Sequence, residues 1–332
     1  MKILVTGAAG GIGSLLTEFL ILAGHDVYPL DNFRNGYQSN LDLAKIAENR
    51  FLNLDIRDQD LHKKIPFGLD CVLHLAAITS LPECESNPLD TLSINTGGTL
   101  NLLEAARQTA CKYFILASTS AVYENNSEKI FSEDLFVTPT LSYSLSKKLA
   151  EDLCQAYTEK YSMRITIARL FNVFGPNQDV KRPNPPLLNY LVREFVLGRS
   201  PILHSDGTQR RDYISVNDVK NFILRCIEIQ PTGIFNVCSG KLLSVNTLVE
   251  IVRKTLGVSQ EVKYQEASKL WDTYPDLFLG KYHLRKEIVE KEALKLSLGS
   301  SAKAKEILNW APPSDIESQI SATVLDIRNR LV

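Results

Sequence analysis

Residues Lys2–Gly24 read KILVTGAAGGIGSLLTEFLILAG. Lys2–Thr6 is a short apolar run of the kind that forms a buried strand. It leads directly into Gly7-Ala8-Ala9-Gly10-Gly11-Ile12-Gly13, and Ser14–Ala23 then carries a helical pattern that stops at Gly24. Strand, glycine turn and helix in that order build an anion site. Glycines let the backbone come close to a pyrophosphate, and the free N–H groups at the helix N-terminus point at it. The spacing Gly7, Gly10, Gly13 is a G-x-x-G-x-x-G variant of the dinucleotide fingerprint. Taken alone, it is also what a glycine turn without a ligand looks like.

The flanking sequence bears on that choice. His25–Leu30 reads as a second strand and ends at Asp31-Asn32, about twenty residues beyond the glycines, where the ribose hydroxyls of a dinucleotide need an acceptor. A carboxylate there repels a 2′-phosphate, which favours NAD over NADP, although Arg34 close by weakens that preference. Phe51–Leu54 is a third strand ending in Asp55-Ile56, an adenine-edge contact or a solvated loop acid. Asp70–Leu75 is a fourth, followed by the small pair Ala76-Ala77, which lets a cofactor lie against the backbone. His74 reads as a strand-end packing residue rather than a ligand.

Leu89–Thr109 carries one long helical pattern, with Asn95 either tying loops together or positioning a neighbour. Gly97-Gly98 weakens the helix locally. Lys112–Ala117 is a fifth strand ending in Ser118-Thr119-Ser120, and Met163–Leu170 a sixth ending in Phe171-Asn172. Hydroxyls at a strand's carboxyl end sit where open α/β sheets bind ligands. Between these strands stands Tyr143-Ser144-Leu145-Ser146-Lys147. Tyr143 and Lys147 are four residues apart and share one helix face. An ammonium beside a phenol lowers a pKa that starts near ~10, which suits proton transfer. On spacing alone the same pair is an ordinary packed tyrosine and snorkelling lysine.

Six alternating strand and helix units predict a doubly wound parallel (Rossmann) α/β sheet over residues 1–172. After Asn177 the texture changes. Pro176, Pro183, Pro185 and Pro186 read as an ordered or ligand-closing loop. Helices are expected at Leu187–Leu197, Val216–Ile229, Val245–Leu256, Ala302–Leu308 and Asp315–Leu331, with a strand at Gly233–Val237; Trp310-Ala311-Pro312-Pro313 ends the helix before it. Trp271–Lys291 is polar with weak periodicity. Residues 173–332 thus read as a smaller C-terminal α/β region, interleaved with the first and not independently folding.

The formal net charge of −1, from 37 basic and 38 acidic residues, gives no surplus that would point to nucleic acid or an anionic membrane. Six scattered cysteines without a Cys-x-x-Cys form neither a metal site nor a disulfide framework. Met1-Lys2 leads straight into a strand, so a cytoplasmic protein without a signal peptide is expected.

Read together, these residues resemble the extended short-chain dehydrogenase/reductase superfamily, within the nucleotide-sugar epimerase/dehydratase group typified by UDP-glucose 4-epimerase. The resemblance rests on Thr6-Gly7-x-x-Gly10-x-x-Gly13, Asp31-Asn32, Asp55-Ile56, His74-Leu75-Ala76-Ala77 and Asn95 ahead of Thr99-Leu100-Asn101-Leu102-Leu103-Glu104-Ala105. It continues through Ser118-Thr119-Ser120-Ala121-Val122-Tyr123, Tyr143-x-x-x-Lys147, Arg169-x-Phe171-Asn172-Val173-Phe174-Gly175-Pro176, Arg211-Asp212-Tyr213 and Lys303-Ala304…Leu308-Asn309-Trp310. It implies Tyr143 as the acid/base, Lys147 as the residue that tunes it and binds the nicotinamide ribose, and Thr119 as the bridging hydroxyl. It implies NAD held by Gly7, Gly10, Gly11, Ile12, Gly13, Asp31, Asn32, Asp55, Ile56, Leu75, Ala76, Ala77, Asn95, Ser118, Tyr143, Lys147 and Phe171. A nucleotide-diphosphate sugar is implied against Thr79, Ser80, Thr119, Tyr143, Asn172, Leu187, Leu203, Arg211 and Ser297, with Arg211 forking onto the diphosphate.

The resemblance also implies a homodimer through a four-helix bundle of Leu89–Thr109 and Tyr143–Tyr161, and no metal. Dehydratases and decarboxylases of the group usually follow the hydroxyl with an acid. Thr119-Ser120-Ala121 lacks it, which favours an epimerase. Ser297 stands where a bulky residue would exclude N-acetylated sugars, so a roomy sugar site is expected. An Arg-x-Gly-Asp segment common in the group is missing before the last helix, with Arg285, Lys286 or Lys291 as substitutes. A reductase that releases its cofactor, a 4,6-dehydratase and a redox-sensing regulator of the same fold are the alternatives.

Overall fold

The computed structural model describes residues 1–41, 50–179, 182, 185–272, 274–312 and 315–331; Pro183 and Pro313 lie outside them. The strands, in chain order, are β1 (Lys2–Thr6), β2 (Asp26–Asp31), β3 (Leu52–Asn53), β4 (Cys71–His74), β5 (Phe114–Thr119), β6 (Ile165–Leu170), β7 (Asn172–Phe174), β8 (Ile202–Leu203), β9 (Arg210–Ser215), β10 (Gly233–Val237), β11 (Leu242–Ser244) and β12 (Lys263–Tyr264). Seven of them make one parallel sheet in the order β10-β6-β5-β4-β1-β2-β3. The chain order reverses between β1 and β4. In an open parallel sheet that reversal leaves a crevice at the strands' carboxyl ends, which is where ligands bind.

Both sheet faces are covered, as a parallel sheet requires. On one face Leu16 and Leu20 of helix Gly11–Leu22, Phe222 and Cys226 of helix Val216–Ile229, and Leu308 of helix Ala302–Leu308 pack over Ile3, Val5 and Ile115. On the other, Leu102 and Ala106 of helix Gly98–Gln108 and Ala150 and Cys154 of helix Ser142–Tyr161 pack over Leu4, Val72 and Leu116. A third core lies between helices Leu187–Val196, Val245–Leu256 and Ile316–Leu331, built on Leu191, Phe195, Leu248, Val252, Ile320 and Val324.

Several elements differ from expectation. The long pattern Leu89–Thr109 is broken into Pro88–Leu92, a π turn at Ser93–Gly97, and Gly98–Gln108. At Gly98 a Cβ would collide with the Ile56 side chain, so the helix is seated closely there. The third strand shrinks to Leu52–Asn53 at the sheet edge. Arg210–Ser215, whose pattern shows no strand period, is the centre of a small sheet ordered β11-β9-β7, and β8 pairs with β12. Within Trp271–Lys291, single helical turns flank a buried Trp271, and helix Lys286–Leu294 begins. β10 comes from the C-terminal half yet pairs with β6, so the first sheet does not end at residue 172.

Candidate active site

The crevice between β1 and β4 opens into a cleft of about 350 Å³. Its floor is the glycine turn. Gly7 has φ +70°, and a Cβ there would stand 2.7 Å from the Ala76 nitrogen. A Cβ on Gly13 would overlap the Gly7 carbonyl oxygen. Both positions therefore exclude side chains, and the turn lies against the β4 end. Helix Gly11–Leu22 starts here with no side-chain cap at Gly10, which leaves first-turn N–H groups facing the cleft.

Asp31, at the end of β2, lines the cleft. Its Oδ2 accepts the Ala9 N–H at 2.8 Å and its Oδ1 the Phe33 N–H at 2.8 Å, so the acid staples the glycine turn to its own strand. A carboxylate has further lone pairs for ribose hydroxyls. Along the rim, Asn32 donates to Asp55 at 3.0 Å, and Arg57 forks onto both Asp55 oxygens at 3.0 and 2.7 Å. That guanidinium holds the Asp55 carboxyl down at about 2. Arg34 pairs with Asp90 at 2.6 Å. Its charge is already matched, which removes much of its pull on a 2′-phosphate.

The far wall carries Leu75, Ala76, Ala77 and Thr79 after β4, Ser118 and Thr119 at the end of β5, Phe171 after β6, and Tyr143 with Lys147. Thr119 and Tyr143 stand together on this wall. Burial pushes the Tyr143 phenol up to about 12, opposed by the nearby Thr119 hydroxyl and by the charge of Arg182. Burial also draws Lys147 down to about 8, opposed by Glu151. Loss of water is the larger effect on both groups.

Other expected site residues stand elsewhere. Asn95 does not line the cleft. Its Oδ1 accepts the Ile78 N–H at 2.9 Å, and its Nδ2 donates to the Ile78 carbonyl and to Ser146 Oγ, tying the loop after β4 to the Tyr143 helix. Ser80 precedes helix Leu81–Ser86, outside the lining. Asn172 donates to the Asp212 carbonyl at 2.8 Å, and Leu187 and Leu203 belong to the third core. Arg211 donates to the carbonyls of Glu292 and Ala293, both at 2.9 Å, at the C-terminus of helix Lys286–Leu294. Ser297 is buried in a bridge with Arg211, so its small side chain adds no room to this cleft. Arg285 and Lys291 line a second cavity, of about 290 Å³.

The cleft also holds Gln178, Asp179 and Arg182, which no motif reveals. They come from the proline-rich stretch singled out above, whose Pro186 lines the cleft with them. This stretch meets the loop after β2 above the glycine turn. Tyr37 donates to Asp179 at 3.1 Å and Asn177 to Ser14 at 3.0 Å.

A model of the NAD dependent epimerase/dehydratase family matches residues 3–238. The chain belongs to this family. Its cleft is accordingly an NAD cleft, and the glycine cradle, the open helix N-terminus and Asp31 fit that dinucleotide. Family relatives include a UDP-glucuronate 4-epimerase of Thermodesulfobacterium geofontis, 31% identical over 97% of this chain and 94% of that one. Among solved structures, the UDP-N-acetylglucosamine 4-epimerase of Methanobrevibacter ruminantium M1 superposes with TM-score 0.86 at 29% identity, covering 99% of this chain and 98% of that one. The UDP-glucose 4-epimerase of Thermotoga maritima does so with TM-score 0.86 at 28% identity over the whole of both chains. Among the described residues, no group of three or more His, Cys, Asp or Glu is placed to hold a metal, and no helix is long and apolar enough to cross a membrane.

Proposed function

We propose that this family member is a 4-epimerase of UDP-hexoses working through a 4-keto sugar. The observation that carries this is Tyr143, Lys147 and Thr119 brought together on the wall of the NAD cleft, with Ser120-Ala121 rather than an acid after the hydroxyl. Tyr143 removes the proton from the sugar hydroxyl and returns it after the sugar has turned over. Thr119 orients that hydroxyl, and Lys147 donates to the nicotinamide ribose and keeps positive charge near the phenol. When bound, NAD takes up the hydride from the carbinol carbon and gives it back. Elimination needs a second base near the sugar, and Ala121 offers none. Gly7, Gly10, Gly11, Ile12, Gly13, Asp31, Asn32, Asp55, Ile56 and the Leu75–Ala77 wall are the proposed cofactor contacts.

Arg182 favours an acidic sugar among the possible substrates. It lies half-buried in the cleft beside Asp179 and Glu83, close enough for its charge to act on Tyr143, and its buried Nε has no hydrogen-bond partner among the described residues. A hexuronate carboxylate would satisfy it. Exposed Leu89, Leu100 and Leu149 on the helices expected to dimerise support a homodimer, and six free thiols support a reducing, cytoplasmic location.

The test is to incubate the protein, without added NAD, with UDP-glucose, UDP-N-acetylglucosamine and UDP-glucuronate and to follow the C4 epimers by proton NMR. Epimers should accumulate with no net change in nicotinamide absorbance. A stoichiometric absorbance change would mean a reductase, loss of water a dehydratase, and NAD binding without turnover a regulator.

A further inference from the structure

Under the cleft, helix Ser142–Tyr161 carries Tyr143, Lys147 and Glu151 at successive four-residue steps, on one face. Lys147 and Glu151 are 3% and 1% exposed. A buried ammonium is costly unless a counter-charge is fixed nearby. Glu151 is fixed in this way. Its two oxygens accept a fork from Arg169 on β6, at 3.0 and 2.8 Å, and Oε1 also accepts the Ser118 hydroxyl. Arg169 is held in turn by the Tyr123 hydroxyl at 2.8 Å, which bonds Asn236 of β10 at 3.0 Å. Ser118 lines the NAD cleft immediately before Thr119.

The other titratable groups acting on Lys147 carry no charge at neutral pH. Burial pushes the Cys84 thiol, on the adjoining helix Leu81–Ser86, up to about 12, and pushes Cys154 on the same helix higher still. Burial draws His74 of β4 down to about 3 and raises the Tyr143 phenol. Arg169 is paired with Glu151, at 2.8 Å. Among the described residues that act on Lys147, Glu151 is the one anion.

We propose that Glu151, clamped by Arg169 and Ser118, is a positioning residue that keeps the buried Lys147 side chain an ammonium beneath Tyr143. The clamp stops the carboxylate from collapsing onto the ammonium, so Lys147 keeps its donors for the cofactor ribose. This rests on the roles proposed for Tyr143 and Lys147, but its test does not need turnover.

The full-length NAD-bound protein, labelled with carbon-13 at the lysine ε-carbons, is titrated by NMR, and the Lys147 signal is assigned by its loss in Lys147→Met. In Glu151→Gln the Lys147 midpoint should fall by about one pH unit or more, a tenfold loss in proton affinity, while Glu151→Asp restores it. If Glu151→Gln fails to fold with Arg169 unpaired, the double variant Glu151→Gln/Arg169→Gln is compared with Arg169→Gln alone, and the midpoint should be lower in the double variant. An unchanged midpoint in either folded variant overturns the proposal. A shifted midpoint in a protein that epimerises nothing would leave this inference standing and remove the function proposed above.

Discussion

Burial drives Tyr143 and Lys147 toward neutrality together, because each loses water around its charged form. A buried phenol is a poor base, and a cationic nicotinamide bound beside it would favour the phenolate. The difference in ultraviolet absorbance between the wild type and Tyr143→Phe should show a phenolate appearing at lower pH with NAD than without it. Tyr143→Phe itself should lower turnover by roughly a hundredfold or more while NAD stays bound, measured by epimer formation and by cofactor content. His74 gives a second prediction at this scale. Thr99 donates its hydroxyl proton to the Asn95 carbonyl at 2.6 Å, so it accepts from His74 Nε2 at 2.9 Å, while Nδ1 lies 2.7 Å from the Thr6 hydroxyl. Burial draws this imidazole down to about 3, so the folded ring is neutral above that pH. The unfolded chain therefore binds the extra proton from about pH 6.5 down to about 3. Stability should fall with acid across that window by up to about 1.4 kcal/mol per pH unit. His74→Gln should flatten that dependence, as read from urea unfolding at several pH values.

At the scale of elements, the glycine turn and the π turn show what a local pattern can and cannot reveal. Strand, glycines and helix are local signals, so β1, the turn and helix Gly11–Leu22 are legible in the residues themselves, as are Asp31 at the end of β2 and the Tyr143–Lys147 spacing. The π turn depends on Gly98 seating against Ile56, a contact between segments far apart in the chain. The protein contacts of Arg211 and Ser297 were illegible for the same reason. Their partner is helix Lys286–Leu294, which follows a polar stretch without a period. Arg182 was missed because a proline-rich loop has no repeat that says which side chain turns inward. Gly13→Ala should be severe, since the added methyl meets the Gly7 carbonyl and nothing there can yield. We expect a loss of about 1–3 kcal/mol in stability and an NAD-free protein, checked by calorimetry and by the absorbance ratio of the purified chain.

For the whole molecule, the cores are joined through shared strands and helices rather than a linker, so core damage should unfold the chain as one unit. Ile320→Ala, in the fully buried centre of the third core, should cost about 2–5 kcal/mol and lower the melting temperature without splitting the transition. The proposed dimer is tested at the same scale. Leu100→Glu combined with Leu149→Glu should halve the mass seen by light scattering if these leucines are covered by a second copy. The placement of β10 also bears on synthesis. Ribosomes deliver the chain from the N-terminus, so the β6 edge emerges as an unpaired hydrogen-bonding template until Val237 has left the exit tunnel. During that interval the nascent sheet is open to pairing with other chains. A polypeptide stopped at Asn172 should therefore pellet on centrifugation, whereas the 332-residue chain covers β6 with β10, whose own edge is capped where Glu133 accepts the Asn236 N–H, and stays in the supernatant.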